Sequence, residues 1–189
     1  MRRTALSVVA ILTAAALSAA AVRPAPRAPA PTSARTPAPA LDDATIVAIF
    51  DAANTADIET GQLAATRGHS KQVRDFGAML ARDHQQVRQQ GRDLATKLGV
   101  TPTPPKDDQG ARDHAAAMQR LRALSGPAFD RAFLQHEAAF HKAVIAAVTA
   151  TLLPAIKNAE VKALVVKVAP AFEAHRVAAL HLEKQLAGN

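Results

Sequence analysis

Cysteine, tryptophan and tyrosine are absent from this 189-residue chain, and six phenylalanines supply all of its Phe, Tyr and Trp content. Without cysteine the chain has no disulfide bond and no site for lipid attachment, so its stability must come from packing. Without tyrosine and tryptophan it lacks aromatic side chains that commonly stack on nucleic-acid bases. These absences argue against a disulfide scaffold and against a nucleic-acid-binding module.

Several catalytic motifs are missing as well. The sequence has no Gly-x-Ser-x-Gly nucleophile motif and no glycine-rich phosphate loop. Di-iron oxidases built on helical bundles need Glu-x-x-His on two helices, and no Glu-x-x-His occurs here. Glu137 and His141 are four residues apart, whereas Glu173 and His175 are two apart and lie on different helix faces. The sequence therefore predicts no particular reaction, and an enzyme activity is not expected from it.

Positive charge is concentrated at the N-terminal end of the chain. The formal net charge is +7, but five of the 23 basic residues lie within the first 40 residues, where there is no acidic residue. The remaining 18 basic residues face 16 acidic ones, which leaves residues 41–189 with a net charge of about +2. Nucleic-acid-binding proteins usually concentrate positive charge on the folded domain. Nucleic acid is therefore not an expected partner.

Residues 1–21 have the order of a secretory signal peptide. Arg2 and Arg3 precede an apolar run, and small residues follow, so cleavage is expected after Ala20 or Ala21. The alternative is a short transmembrane anchor, which the short, alanine-rich apolar run disfavours. The sequence therefore predicts a periplasmic or secreted protein without a stable membrane span after cleavage. It does not predict a protein partner or an oligomeric state.

Residues 22–41 are rich in proline and alanine and have no periodic apolar face. Such a tract favours extended polyproline conformations, so we expect a semi-stiff, disordered spacer. Residues 42–189 then show the apolar periodicity of long helices, and no segment alternates with period two. Long helices joined by short loops predict an all-α antiparallel four-helix bundle with an extra short helix. The predicted helices cover residues 42–67, 71–98, 108–124, 127–152 and 158–186, with Pro154 ending the fourth and Pro170 kinking the last.

Polar residues interrupt the apolar stripes of these helices near their middles. Asp57, His84 and His175 each lie on the inward stripe of a different helix. On the fourth helix His136 lies inside the stripe, Glu137 lies at its edge, and His141 follows Glu137 by one turn. Because the middles of antiparallel helices lie at similar heights, we expect these side chains to converge.

Three interpretations of this cluster remain open. It could be a structural polar network, a metal site, or a site for proton transfer or a small molecule. A buried ionised carboxylate is costly, and pairing it with a protonated histidine or a metal removes most of that cost. Imidazoles with a carboxylate suit Cu, Zn or Fe better than Ca or Mg. The metal hypothesis names Asp57, His84, Glu137, His141 and His175, with His136 as the alternative on the fourth helix.

Four segments resemble an exported bacterial family called domain of unknown function 4142. They are DIETGQLA at 57–64, VRDFGAMLARDH at 73–84, FDRAFLQHEAAFH at 129–141, and the AP-x-x-x-AH pattern at 169–175. The resemblance implies a ferritin-like bundle over roughly residues 43–187, with recurring histidines at His84, His141 and His175. Asp57 stands where the family usually has glutamate. The family has no characterised role. The alternative to a metal-binding function is a metal-free envelope or stress-associated interaction module with a structural polar core.

Overall fold

A computed structural model of the chain describes residues 41–188. These residues are helical apart from the connecting loops, and no strand occurs among them. The predicted all-α class is therefore confirmed, whereas the predicted signal peptide (1–21) and nearly all of the predicted spacer (22–40) lie outside the described residues. The helices are α1 (Asp43–Arg67), α2 (Lys71–Leu98), α3 (Gln109–Arg122), α4 (Gly126–Ala147), α5 (Leu153–Ala155) and α6 (Ala159–Ala187), with a π-helical turn, Val148–Leu152, between α4 and α5.

Side chains at the helix ends explain where the long helices begin and end. The carboxylate of Asp42 accepts a hydrogen bond from the backbone N–H of Thr45 at 2.8 Å, and the hydroxyl of Ser70 accepts one from Val73 N–H at 3.2 Å. Each bond satisfies a backbone donor that has no partner within the first helical turn. Gly99 ends α2 in the left-handed conformation, with φ of 64°. The predicted starts of α1 and α2 are thus confirmed.

The prediction that Pro154 ends the fourth helix is wrong by one turn. Helical structure continues from α4 through the π-helical turn and includes Pro154 within α5. A proline ring clashes with the carbonyl four residues earlier in a regular α-helix, and the wider π-helical turn before it changes that spacing. Pro170 lies inside α6, which is helical on both sides of it.

The four long helices pack with neighbouring helices antiparallel. One apolar cluster joins the end of α1 to the start of α2, the start of α4 and the end of α6; Ala64, Val73, Phe129 and Ala179 belong to it. A second joins the start of α1, the end of α2, the π-helical turn after α4 and the start of α6; Ile46, Ala95, Val148 and Val161 belong to it. Polar residues occupy the level between the two clusters. The predicted meeting of the helix middles is therefore observed.

Two glycines allow α1 and α2 to approach each other closely. A Cβ atom added to Gly61 would lie 2.7 Å from the carbonyl oxygen of Gly77, and one added to Gly77 would lie 2.6 Å from the carbonyl oxygen of Gly61. Both positions therefore exclude any side chain at the present helix separation. This contact lies close along the chain to Asp57 on α1 and to His84 on α2.

Within residues 41–188, Gly126–Ala155 is long and apolar enough to cross a membrane by length and composition, with a mean hydropathy of 1.4 and 17% of its apolar window buried. A helix that packs in a soluble protein can meet the same test, and this stretch places Glu137 and His141 in the packed interior. The absence of a stable membrane span after signal cleavage therefore stays a prediction.

Candidate metal centre

A layer of buried polar side chains crosses the protein between its two apolar clusters. α4 and α6 contribute Glu137, His141 and His175, which are 0%, 0% and 6% exposed. α1 and α2 contribute four polar residues that are at most 2% exposed. Leu80, Phe172 and Val168 lie on the same buried faces. The α1 and α2 members of the layer are Asn54, Asp57, Thr60 and His84.

Helical spacing brings these side chains to one level. Asn54, Asp57 and Thr60 follow one another at intervals of three residues and therefore share a face of α1. Glu137 and His141 are four residues apart and stack on one face of α4. Each long helix thus supplies at least one polar side chain to the layer.

The three buried histidines form a compact group. His84 Nε2 lies 3.2 Å from His175 Nδ1. The ring centroid of His141 lies 5.6 Å from that of His84 and 5.4 Å from that of His175. One nitrogen from each ring lies within 4.8 Å of the nitrogens from the other two. Three imidazoles from α2, α4 and α6 therefore meet at a single point.

In each ring, the nitrogen that does not face the other histidines (the far nitrogen) contacts an oxygen acceptor. His84 Nδ1 lies 2.9 Å from Asn54 Oδ1, and the amide nitrogen of Asn54 donates to the carbonyl of Phe50, which fixes the amide orientation. His141 Nδ1 lies 3.0 Å from the backbone carbonyl of Glu137. These acceptors assign the ring protons to Nδ1 of both histidines.

His175 has the opposite orientation. Its Nε2 lies 3.4 Å from the carboxylate of Asp83, and this acceptor assigns the ring proton to Nε2. Nδ1 of His175 and Nε2 of His84 are then both hydrogen-bond acceptors, although they lie 3.2 Å apart. Two facing lone pairs at this distance repel each other unless a proton or a cation lies between them. Metal-binding histidines commonly have this arrangement, with the far nitrogen donating to a carbonyl or carboxylate oxygen.

Protonation of these rings is disfavoured at neutral pH. Burial, reinforced by the neighbouring histidines, lowers the pKa of His84 to about 3 and that of His141 to about 4. Burial also lowers the pKa of His175, against the opposing effect of Asp83. The rings are therefore neutral, which is the protonation state in which imidazole binds a metal ion.

A buried carboxyl pair adjoins the histidines. Burial, followed by repulsion from Glu137, raises the pKa of Asp57 well above its ordinary value. Burial also raises the pKa of Glu137 to about 7. Asp57 Oδ1, both carboxyl oxygens of Glu137 and His141 Nε2 are buried without a hydrogen-bond partner among the described residues. Unsatisfied polar atoms of this kind are rare in folded proteins, and an ion or a proton on one of the carboxyl groups would satisfy them.

Two ligand groups overlap in this layer. One consists of His84, His141 and His175, and the other of Asp57, Glu137 and His141, with the ligand atoms of each group within 4.8 Å of one another. His141 belongs to both. Since His141 Nδ1 contacts the Glu137 carbonyl, only its Nε2 is available as a ligand. One imidazole nitrogen binds one ion, so the two groups describe alternative positions of a single ion.

The structure brings together Asp57, His84, Glu137, His141 and His175, as the sequence predicts. The prediction that His136 lies inside the α4 stripe and Glu137 at its edge is wrong. His136 is partly exposed and packs beside Phe140, with ring centroids 5.8 Å apart. The buried face of α4 instead runs through Phe133, Glu137 and His141. Rotating the helix by one residue position exchanges the two assignments.

Sequence reasoning missed two residues that orient the rings, Asn54 and Asp83. Asn54 lies one turn before Asp57 on the same face of α1, so its position could have been recognised by spacing. Asp83 directly precedes His84, and no periodicity indicates that it contacts a histidine of another helix.

His69 and His181 are exposed, as predicted. His114 was expected on the surface, but its side chain is only 19% exposed and contacts Glu59 at 2.7 Å.

Comparisons with known proteins place this layer within a family. A family model described as Domain of unknown function (DUF4142) matches residues 28–182, a range that includes every residue of the layer. No curated protein and no solved structure matches the chain.

Proposed function

Because the chain belongs to the family described as Domain of unknown function (DUF4142), whose description names no activity, we propose a function from the geometry: it binds one transition-metal ion through His84, His141 and His175. The observation that carries this proposal is the convergence of three buried imidazoles, whose ligand nitrogens lie within 4.8 Å of one another, with His84 Nε2 3.2 Å from His175 Nδ1. With the ring protons assigned to the far nitrogens, a cation between the three rings would be coordinated by their lone pairs.

The surrounding residues support the same proposal. Asp57 and Glu137 provide buried carboxyl groups beside His141, which could supply a further oxygen ligand and balance the charge of the ion. A site of imidazole nitrogens, alone or with one carboxylate oxygen, suits Zn, Cu or Fe, whereas Ca and Mg prefer sites made of oxygen ligands. We therefore propose a Zn, Cu or Fe ion.

The proposed setting is an exported protein with a ferritin-like four-helix bundle. The helix packing and the family resemblance support the bundle, and the charged, apolar and small-residue order of residues 1–21 supports export to the periplasm or beyond. No reaction is proposed, because the centre lacks the Glu-x-x-His pairs of di-iron oxidases.

Metal titration of purified, tag-free, metal-free protein tests the proposal. Zn(II), Cu(II) and anaerobic Fe(II) are titrated separately by calorimetry, and bound metal is quantified after gel filtration. We expect one equivalent of at least one of these metals to bind. His84→Ala, His141→Ala and His175→Ala should each weaken binding by about ten-fold or more, because each removes a ligand that no other side chain replaces.

His69→Ala and His181→Ala are matched controls, since they remove exposed imidazoles outside the layer. His136→Ala distinguishes the two faces of α4 and should leave the affinity unchanged. Circular dichroism of each variant separates ligand loss from unfolding. If folded protein binds none of the three metals, or binds them equally well without His84, the layer is a structural polar core, as expected for a metal-free interaction module.

A further inference from the structure

A large cleft lies outside the metal centre. A cleft of about 830 Å³ opens between α1, α2, the loop that leads into α3, and α4. None of the three histidines of the metal centre lines it. Its volume falls within the range of roughly 300–1,000 Å³ that is typical of small-molecule sites. Its apolar walls include Phe50, Phe140, Val144, Pro102 and Pro105.

The loop that leads into α3 forms part of the cleft and contacts α1. Three prolines of the loop, Pro102, Pro104 and Pro105, line the cleft, and proline restricts the backbone to few conformations. Between them, the backbone N–H of Thr103 donates to the carbonyl of Ala44 on α1 at 3.2 Å. This hydrogen bond ties the loop to the first turn of α1.

Arg88 is the distinctive charged residue of this cleft. It is half-buried, and its guanidinium donates to the hydroxyl of Thr55 at 3.1 Å. No carboxylate within residues 41–188 forms an ion pair with it. Arg92, one turn further along α2, also lines the cleft, but the carboxylate of Asp51 accepts two hydrogen bonds from it, at 2.5 and 2.9 Å. Only Arg88 thus presents a positive charge whose hydrogen-bonding capacity is largely unused.

The acidic residues of the lining already have partners. Asp51 pairs with Arg92, and Asp107 accepts a hydrogen bond from Arg112 at 2.6 Å. Asp108 accepts from the backbone N–H of Ala111 at 2.9 Å and caps α3. These three carboxylates repel a single negative charge less than a multiply charged anion, so a singly charged group is the better partner for Arg88. His114 also lines the cleft, and its Nδ1 is buried without a hydrogen-bond partner among the described residues.

We propose that this cleft binds a small amphipathic monocarboxylate. The carboxylate pairs with the guanidinium of Arg88, whose planar fork matches a carboxylate in two parallel hydrogen bonds. The hydrocarbon part lies against Phe50, Phe140 and Val144 and is removed from water there. The single unpaired charge selects one carboxylate over a phosphate monoester, which carries nearly two negative charges at neutral pH.

Calorimetric titration of the full-length protein with decanoate, in the presence of a chelator, tests this proposal, with 1-decanol as the uncharged ligand of equal chain length. Decanoate should bind with a stoichiometry of one and at least ten-fold more tightly than 1-decanol. Arg88→Gln should remove that difference by weakening decanoate binding at least ten-fold. Arg131→Gln removes the same charge from an exposed position outside the cleft and should change decanoate affinity less than two-fold.

A second variant tests the apolar wall. Ala53 lines the cleft on α1, and Ala53→Trp should weaken decanoate and 1-decanol alike by filling the space of the hydrocarbon chain. Circular dichroism confirms that each variant is folded. The proposal is overturned if decanoate shows no saturable binding, if folded Arg88→Gln binds it as tightly as the wild type, or if Ala53→Trp leaves both affinities unchanged.

Discussion

At the scale of single residues, the far nitrogen of each imidazole decides whether its near nitrogen can be a ligand. Asn54 performs this role for His84 through a buried 2.9 Å contact, and Asp83 performs it for His175 through a longer 3.4 Å contact. The Asp83 side chain is 37% exposed, so water can replace it. Asn54 is 1% exposed, and the carboxylate of Asp57, 3.4 Å from the same ring nitrogen, is the other acceptor there.

Asn54→Ala should therefore weaken metal binding by about ten-fold, because His84 loses the shorter of the two contacts that fix its tautomer. Asp83→Asn should have a smaller effect. Calorimetric titration measures both affinities, and nitrogen NMR of the imidazoles reports the tautomer of His84 directly. Gln62→Ala, on the exposed side of α1, is the control. An unchanged affinity and tautomer in folded Asn54→Ala would contradict the assigned role.

The buried acids and the buried histidines change the free energy of unfolding with pH in opposite directions. The folded-state pKa of His84 is about 3, whereas an unfolded histidine titrates near 6.5. Between about pH 3 and 6.5 the unfolded state therefore binds more protons than the folded state. The stability that neutral, buried His84 contributes is lost as the pH falls through this range. The pKa of Glu137 is raised from 4.5 to about 7. Its contribution is present below about pH 4.5 and is lost as the pH rises to about 7.

Glu137→Gln should remove one of these opposing contributions. In chelator, the free energy of unfolding of the variant should fall more steeply between about pH 6.5 and 4.5 than that of the wild type, by up to about 1.4 kcal/mol per pH unit. Urea unfolding at several pH values measures the two slopes. Asp93→Asn, which neutralises an exposed acid on α2, should reproduce the wild-type slope. Equal slopes in Glu137→Gln and the wild type would show that Glu137 does not titrate as its burial implies.

At the scale of helices, periodicity predicted the boundaries well and the rotation of one helix poorly. The starts of α1 and α2 carry capping residues, which are local signals readable from sequence. α4 carries apolar residues around much of its circumference, so its stripe does not define whether Glu137 or His136 faces inward. The packing of α4 against α1 and α6 decides that rotation. The same non-local packing places Asp83 of α2 against His175 of α6, which no spacing within either helix could reveal.

The glycine contact between α1 and α2 gives a prediction at this scale. Gly77→Ala would place a Cβ atom 2.6 Å from the carbonyl oxygen of Gly61, so the two helices must separate. We expect a loss of about 1–3 kcal/mol in the free energy of unfolding, as for other overpacked contacts. Metal affinity should also fall, because His84 moves away from Asn54. Urea unfolding and metal titration of the same preparation measure both effects.

Gly110→Ala is the matched control for that experiment. Its added Cβ would lie 3.3 Å from a side-chain oxygen of Asp108, at the exposed start of α3, where the neighbour can yield. It should leave metal affinity unchanged and should not lower stability. Wild-type stability in Gly77→Ala would show that the helix pair adapts without separating.

At the scale of the whole molecule, the centre joins all four long helices at one level. The apolar clusters above and below it hold the helix ends together, while the middle contains neutral imidazoles and carboxyl groups that gain little from facing one another. An ion bound there would link α2, α4 and α6 directly. Because the unfolded chain does not preserve this arrangement, binding should stabilise the folded state through mass action.

Zn(II), Cu(II) or Fe(II), whichever binds most tightly, should therefore raise the melting temperature of metal-free protein. At a free metal concentration of 100 times Kd the gain is about 2.7 kcal/mol, and about 2–4 °C per kcal/mol is expected for a chain of this size. Thermal unfolding followed by circular dichroism should show an increase of roughly 5–10 °C that a chelator reverses. His175→Ala should lose this increase while His181→Ala, one exposed imidazole further along α6, keeps it. An equal increase in both variants would place the bound ion elsewhere on the protein, and the facing nitrogens of His84 and His175 would then need a proton rather than a metal between them.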